Sequence, residues 1–200
     1  MADFITAFVP AFFYILFIVD PLVSIPMFIS LTRKRSTREM QMAASKAVLI
    51  AGIIAVLFLF LGPPLLGILG VSLGDFKIAG GIVLSLLGLE AILGFKLKAE
   101  EKSDKDSLMT VAVLIATPML TGPGLMSALI VLSGDQGVTV TLAATAAALA
   151  VAWVVLYNAP TIKRLLGNQV IEIGSKVIGV LILALGISYI RAGVLATVGA

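Results

Sequence analysis

The chain has 200 residues, 60% of them hydrophobic and only 12% charged, with a mean hydropathy of +1.16, which excludes an ordinary soluble domain and indicates a polytopic membrane protein. It contains no cysteine and no histidine, so thiol chemistry, most zinc sites, haem ligation by histidine and a near-neutral proton carrier are all excluded; no cofactor or metal is expected, and any proton handling falls to carboxylates. The net charge of +3 is sorted by loop, which reports orientation in a lipid bilayer and not nucleic-acid binding.

Six apolar stretches, about 4–31, 42–66, 75–95, 108–133, 138–158 and 172–195, each satisfy the roughly 20 residues that a membrane-crossing helix needs. The predicted fold is an all-α membrane protein of six transmembrane helices. The first stretch lacks a basic start and a small-residue cleavage site, so it is expected to stay in the mature protein and not to act as a signal peptide. It is interrupted by Asp20-Pro21-Leu22-Val23-Ser24-Ile25-Pro26. A carboxylate and two prolines are costly there, and such a break persists only where protein or a wet cavity surrounds it.

The following connection, Thr32 to Glu39, is strongly basic, and Ser36 with Glu39 has capping-box spacing for the second helix, which is expected to end at Gly62-Pro63-Pro64. The third stretch carries Glu90, the second acid inside an apolar run; it is either a coupling group or a residue facing headgroups near Lys96. Lys96 to Asp106 mixes both signs of charge and reads as a solvated loop. In the fourth stretch the first break returns: Pro21, Ser24, Pro26 and Ser30 match Pro118, Thr121, Pro123 and Ser127, all displaced by 97 positions. The fifth stretch is rich in alanine from Ala143 to Ala152 and closes at Asn158-Ala159-Pro160, which either lines the inner exit or is a plain helix terminus, the reading favoured here. Gly81 and Gly88 in the third stretch correspond to Gly179 and Gly186 in the sixth, a pattern of close packing by small residues.

Of the 14 Lys and Arg residues, all but Lys77 and Arg191 fall on the side of the first, third and fifth connections, which predicts a multi-pass protein of the cell membrane with both termini outside. Three helices per half is an odd number, so the second half should insert upside down. The expected organisation is one transmembrane domain over 1–200, with repeat one at 1–98, a cytoplasmic linker at 99–107 and repeat two at 108–200, the first and fourth helices being broken at mid-membrane.

Asp20-Pro21 and Thr117-Pro118 each resemble a helix start, a side-chain oxygen followed by a proline whose missing N–H costs nothing. Two half-helix N-termini are therefore expected to converge on one site. Free backbone N–H groups there suit a carboxylate, and Gly122 and Gly124 permit close approach. Asp20 could receive an ammonium group or a proton, and Ser24, Thr121, Ser30 and Ser127 add neutral hydrogen-bonding groups. A small zwitterionic amino acid fits both breaks. The candidate substrate-binding set is Asp20, Pro21, Ser24, Thr117, Pro118, Thr121, Gly122, Pro123 and Gly124, with Asp20 and Glu90 as candidate coupling residues. The alternative is that the prolines only kink two packed helices while Asp20 caps a turn. Intramembrane proteolysis would need a serine with a base or two facing aspartates; Asp20 is the one mid-span aspartate, so an enzyme is not expected.

The segments Phe17 to Phe28 and Ala116 to Gly124 resemble the MarC family of integral membrane proteins and, within it, the archaeal small neutral amino-acid transporters. The resemblance also covers length and six-span layout, hence essentially the whole chain. It implies uptake of glycine, alanine and similar amino acids driven by the proton gradient. Family members often carry D-P-x-G, whereas this chain reads D-P-L-V-S through Ser24, a departure that bears on substrate preference. The residues themselves leave open proton against sodium coupling, oligomeric state, and direction, including an exporter of amino acids or small metabolites.

Overall fold

The computed structural model describes residues 2–32, 35–94, 108–116 and 120–198. Among them are eight helices and no strand: α1 (Ala2–Val19), α2 (Pro21–Leu31), α3 (Thr37–Leu69), α4 (Leu73–Leu93), α5 (Leu108–Ile115), α6 (Pro123–Gln136), α7 (Val138–Tyr157) and α8 (Ala159–Val198). Four of these, α3, α4, α7 and the Gln169–Val198 part of α8, are long and apolar enough to cross a bilayer. The first and fourth apolar stretches are each divided into two shorter helices, as their prolines predict.

Local chemistry sets most helix ends. Ser36 accepts from the Glu39 N–H at 3.4 Å while the Glu39 carboxylate accepts from the Ser36 N–H at 2.9 Å, the expected capping box. Ser72 and Asp75 form a second one at the start of α4, through N–H contacts of 3.1 and 3.2 Å. Asn158 ends α7 by donating from Nδ2 to the Val154 carbonyl at 2.8 Å, a plain helix terminus.

One predicted boundary is corrected. Gly62-Pro63-Pro64 does not end α3, which continues to Leu69 and closes on Gly70 in the left-handed conformation. The prolines forfeit only the bonds to the carbonyls of residues 59 and 60, whereas stopping there would leave a full set of carbonyls unpaired in an apolar setting. At Gly70 those groups are satisfied, with the Gly70 and Val71 N–H groups reaching Gly67 and Leu66. Gly62 instead serves packing, since a methyl group there would lie 2.5 Å from the Ile130 side chain of α6. The sixth apolar stretch lies where expected, in the Gln169–Val198 part of α8, and a further helical segment from Ala159, with Pro160 in its first turn, precedes it across a break at Gly167 (φ 73°).

The closest helix pair is α4 against α8. Gly74 meets Gly193, Gly81 meets Gly186 and Gly88 meets Gly179, so the two helices run antiparallel with backbones in contact. On α3 the buried residues are mostly alanine (Ala43, Ala44, Ala47, Ala51, Ala55), as they are on α7 (Ala144, Ala148, Ala152), and the two helices pack together. This pair is antiparallel too, since Ser45 near the start of α3 bonds Trp153 near the end of α7, while Gly52 lies opposite Leu149. The remaining packing is reciprocal between the halves: α1 rests on α7 and α5 on α3, while α4 rests on α6 and α8 on α2. The broken helices are thereby held at the centre.

Candidate functional site

Asp20 separates α1 from α2. It is the sole non-glycine residue with positive φ (36°) among the described residues, a conformation that aspartate tolerates better than most side chains. Its N–H closes α1 onto the Leu16 carbonyl at 3.0 Å. Its own carbonyl opens α2, accepting from the Ser24 N–H at 3.4 Å and the Ser24 hydroxyl at 3.2 Å. Pro21, as the first helical residue, needs no partner for an N–H. Asp20 and Ser24 are both buried, at 7% and 3% exposure.

The second break is built differently. Thr121, fully buried, directs both its N–H (2.9 Å) and its hydroxyl (2.8 Å) to the Ala116 carbonyl, a wide closure spanning five residues. Gly122 is extended (φ −64°, ψ 173°), and α6 starts at Pro123. The half-helix therefore begins five residues later than the Thr117-Pro118 pair suggested. A helix start needs an extended cap followed by a residue that can do without its N–H, and Gly122-Pro123 meets both conditions. Thr117 and Pro118 themselves lie outside the described residues, as do the side chains of Pro123 and Ser30.

The second break packs against the end of α1. A methyl group on Gly124 would stand 3.6 Å from Cγ2 of Ile18, two residues before Asp20, and 3.1 and 2.9 Å from Leu84 and Leu87 of α4. Ser127, one turn on, is buried against Gly80. At the α6 start the N–H groups of Gly124 and Leu125 fall in the first turn, where no intrahelical carbonyl is available to them. The Ser24 and Thr121 hydroxyl protons are both committed to main-chain carbonyls, so towards a ligand these groups can only accept. The arrangement can thus hold an ammonium group by Asp20 and hydroxyl oxygens, and a carboxylate by backbone N–H groups at a positive helix end. Thr121→Val, which keeps the shape and removes the oxygen, is expected to weaken ligand binding by about tenfold, while Thr121→Ser keeps it; isothermal titration of the purified variants distinguishes them.

Glu90 is half-buried in α4, one turn before the Gly94 cap, and makes no ion pair among the described residues. Gly80, Leu84 and Leu87 face α6 and its glycine; Glu90 is about 80° round the helix from that row, on its flank. Two features above the breaks were not anticipated. Lys77 and Asp135 form an ion pair at 2.9 Å between α4 and the end of α6, and the rings of Tyr14 and Tyr189 stack at 5.3 Å between α1 and α8. No spacing in the sequence pairs residues so far apart; the one hint is that Lys77 is one of just two basic residues on its side.

The profile of MarC family integral membrane proteins matches residues 5–198, spanning both breaks and all eight helices. The chain belongs to the MarC family. This MarC protein is 32% identical over 204 residues to a UPF0056 membrane protein of Archaeoglobus fulgidus, covering 96% of this chain and 94% of that one. It is also 32% identical over 189 residues to UPF0056 membrane protein YhcE of Escherichia coli, with 88% and 86% covered. A Methanocaldococcus jannaschii relative is 30% identical over 197 residues, with 94% and 95% covered. No solved structure matches significantly. Membership and the long apolar helices together make the chain an integral, multi-pass membrane protein.

Proposed function

We propose that this MarC protein is a secondary active transporter that moves small neutral amino acids, glycine and alanine among them, across the cell membrane by the proton gradient. The observation that carries the reading is the packing of one helix break beside another of complementary character: buried Asp20 at one, and at the other the first-turn N–H groups of Gly124 and Leu125, which have no intrahelical acceptor, with Gly124 lying against Ile18. A zwitterion satisfies both ends. Asp20 orients the ammonium group or carries the coupling proton, and the backbone from Thr121 to Gly124 holds the carboxylate.

The architecture in this reading is a pair of inverted three-helix repeats. Two observations favour it: α3 with α7 and α4 with α8, the corresponding helices of the halves, are antiparallel, and the packing partners of one half recur in the other. The repeats rock around the fixed breaks, and both termini lie outside. The protein is a carrier and not an enzyme, and it requires no metal.

The test is uptake of labelled glycine by proteoliposomes under an imposed proton gradient, with and without protonophore and with sodium varied. Saturable uptake that collapses with protonophore and ignores sodium is expected. Sodium-dependent uptake would replace the coupling ion. Transport observed only as efflux would favour an exporter, and no glycine transport by folded protein in either direction would overturn the substrate class.

A further inference from the structure

A second site lies away from the breaks, on the outer face of the α3–α7 pair. At the basic end of the molecule, Arg38, Gln41, Ser45 and Lys46 of α3 with Tyr157 of α7 line an open cleft of about 460 Å³. An apolar trough of about 650 Å³ runs along the same helix pair, lined by Gly52, Val56, Leu142, Ala146, Leu149 and Trp153. The two are joined: Ser45 lines the cleft, Trp153 lines the trough, and the Trp153 indole N–H donates to the Ser45 hydroxyl at 3.0 Å. No acidic residue lines the cleft, and neither Arg38 nor Lys46 makes an ion pair among the described residues.

The depth of the two cavities is set by helix geometry. From Lys46 to Leu69 the helix rises about 35 Å, against a hydrocarbon core of about 30 Å, so the cleft is at headgroup level and the trough within the acyl region. Trp153 and Tyr157, 5.2 Å apart, are the residue types that occupy that boundary. Arg38 and Lys46 are two turns apart, about 12 Å along the axis, within the reach of two long side chains towards one phosphate.

We propose that this groove is a binding site for an anionic glycerophospholipid, its phosphate held by Arg38 and Lys46 and one acyl chain lying in the trough. Charge complementarity selects this occupant. A second copy docked face to face by a two-fold axis would set the two cations against their equals, and a soluble anion would leave the trough unused.

The experiment is native mass spectrometry of the full chain, delipidated in detergent, titrated with phosphatidylglycerol and phosphatidylcholine of identical chains. Phosphatidylglycerol is expected to bind roughly tenfold to thirtyfold more tightly, and the preference to disappear in Arg38→Gln/Lys46→Gln, whose side chains are exposed and whose fold is checked by thermal unfolding. Ala146→Phe, which plugs the trough, should weaken both lipids. Equal binding of the two lipids, or a preference unchanged in the double variant, overturns the proposal. So does saturation by glycerol phosphate with no further gain from acyl chains, or a dimer mass in place of lipid adducts.

Discussion

Asp20→Asn is expected to abolish gradient-driven uptake while leaving a folded, inserted protein. The amide has the size of the carboxylate, and asparagine also tolerates the left-handed backbone that this position adopts (φ 36°), so the break itself survives. The charge is what disappears. Removing one partner of a buried ion pair costs about 3–5 kcal/mol, which corresponds to a loss of roughly two to three and a half orders of magnitude in affinity. If Asp20 carries the proton without holding the ammonium group, the amide, which mimics the protonated acid, should lose gradient-driven net uptake while exchange of internal for external substrate persists; if it holds the ammonium group, exchange fails as well. Initial uptake rates and substrate-induced thermal stabilisation, measured on the same preparation, separate loss of coupling from loss of binding. Normal gradient-driven uptake by Asp20→Asn would remove this residue from the mechanism. Asp20→Val is expected to behave worse than Asn, because a β-branched residue also opposes the positive φ.

Gly81→Leu is expected to prevent assembly of α4 with α8, and even Gly81→Ala should destabilise the protein. A single methyl group at Gly81 would stand 2.6 Å from the Gly186 carbonyl oxygen and 2.8 Å from the Ile190 backbone nitrogen. Gly88 is equally confined, 2.6 Å from the Leu183 nitrogen. These neighbours are backbone and cannot rotate away, so the helices must separate; overpacking of this kind costs about 1–3 kcal/mol for the methyl alone. Gly67→Ala is the informative contrast. It sits in α3 with nothing within 4 Å of the added carbon, so the same substitution should be neutral or stabilising by up to about 1 kcal/mol through helix propensity. Thermal unfolding in detergent should therefore give opposite signs at the two sites. Equal effects would mean that the glycines of α4 do not define its contact with α8.

The first break was legible because it violates its surroundings: Asp20, Pro21 and Pro26 stand in a run that is otherwise apolar. The duplication at Thr121 and Pro123 was legible for the same reason, but its helix start was placed too early. Thr117-Pro118 and Gly122-Pro123 both satisfy the rule for a helix beginning, and the wide closure of Thr121 onto Ala116 chooses the second. At the end of α3 the converse holds: two prolines suggest a stop, but the cost of uncapped carbonyls in hydrocarbon carries the helix on to Leu69. Ser72 and Asp75 have cap spacing that could have been read from the chain. The pairings of Lys77 with Asp135 and of Tyr14 with Tyr189 could not, having no local signature.

By itself the sequence determined that the chain is helical and lives in a membrane, where its two apolar runs break, and how α3 begins at Ser36. Those outcomes depend on composition and on residues within four positions of each other, and a bilayer leaves helices few alternatives. Only the tertiary structure decided that Gly124 lies against Ile18, that the glycines of α4 and α8 meet in antiparallel order, and that Ser45 and Trp153 join a basic cleft to an apolar trough. Each of those contacts brings together residues about a hundred positions apart, held in place by packing between the two halves.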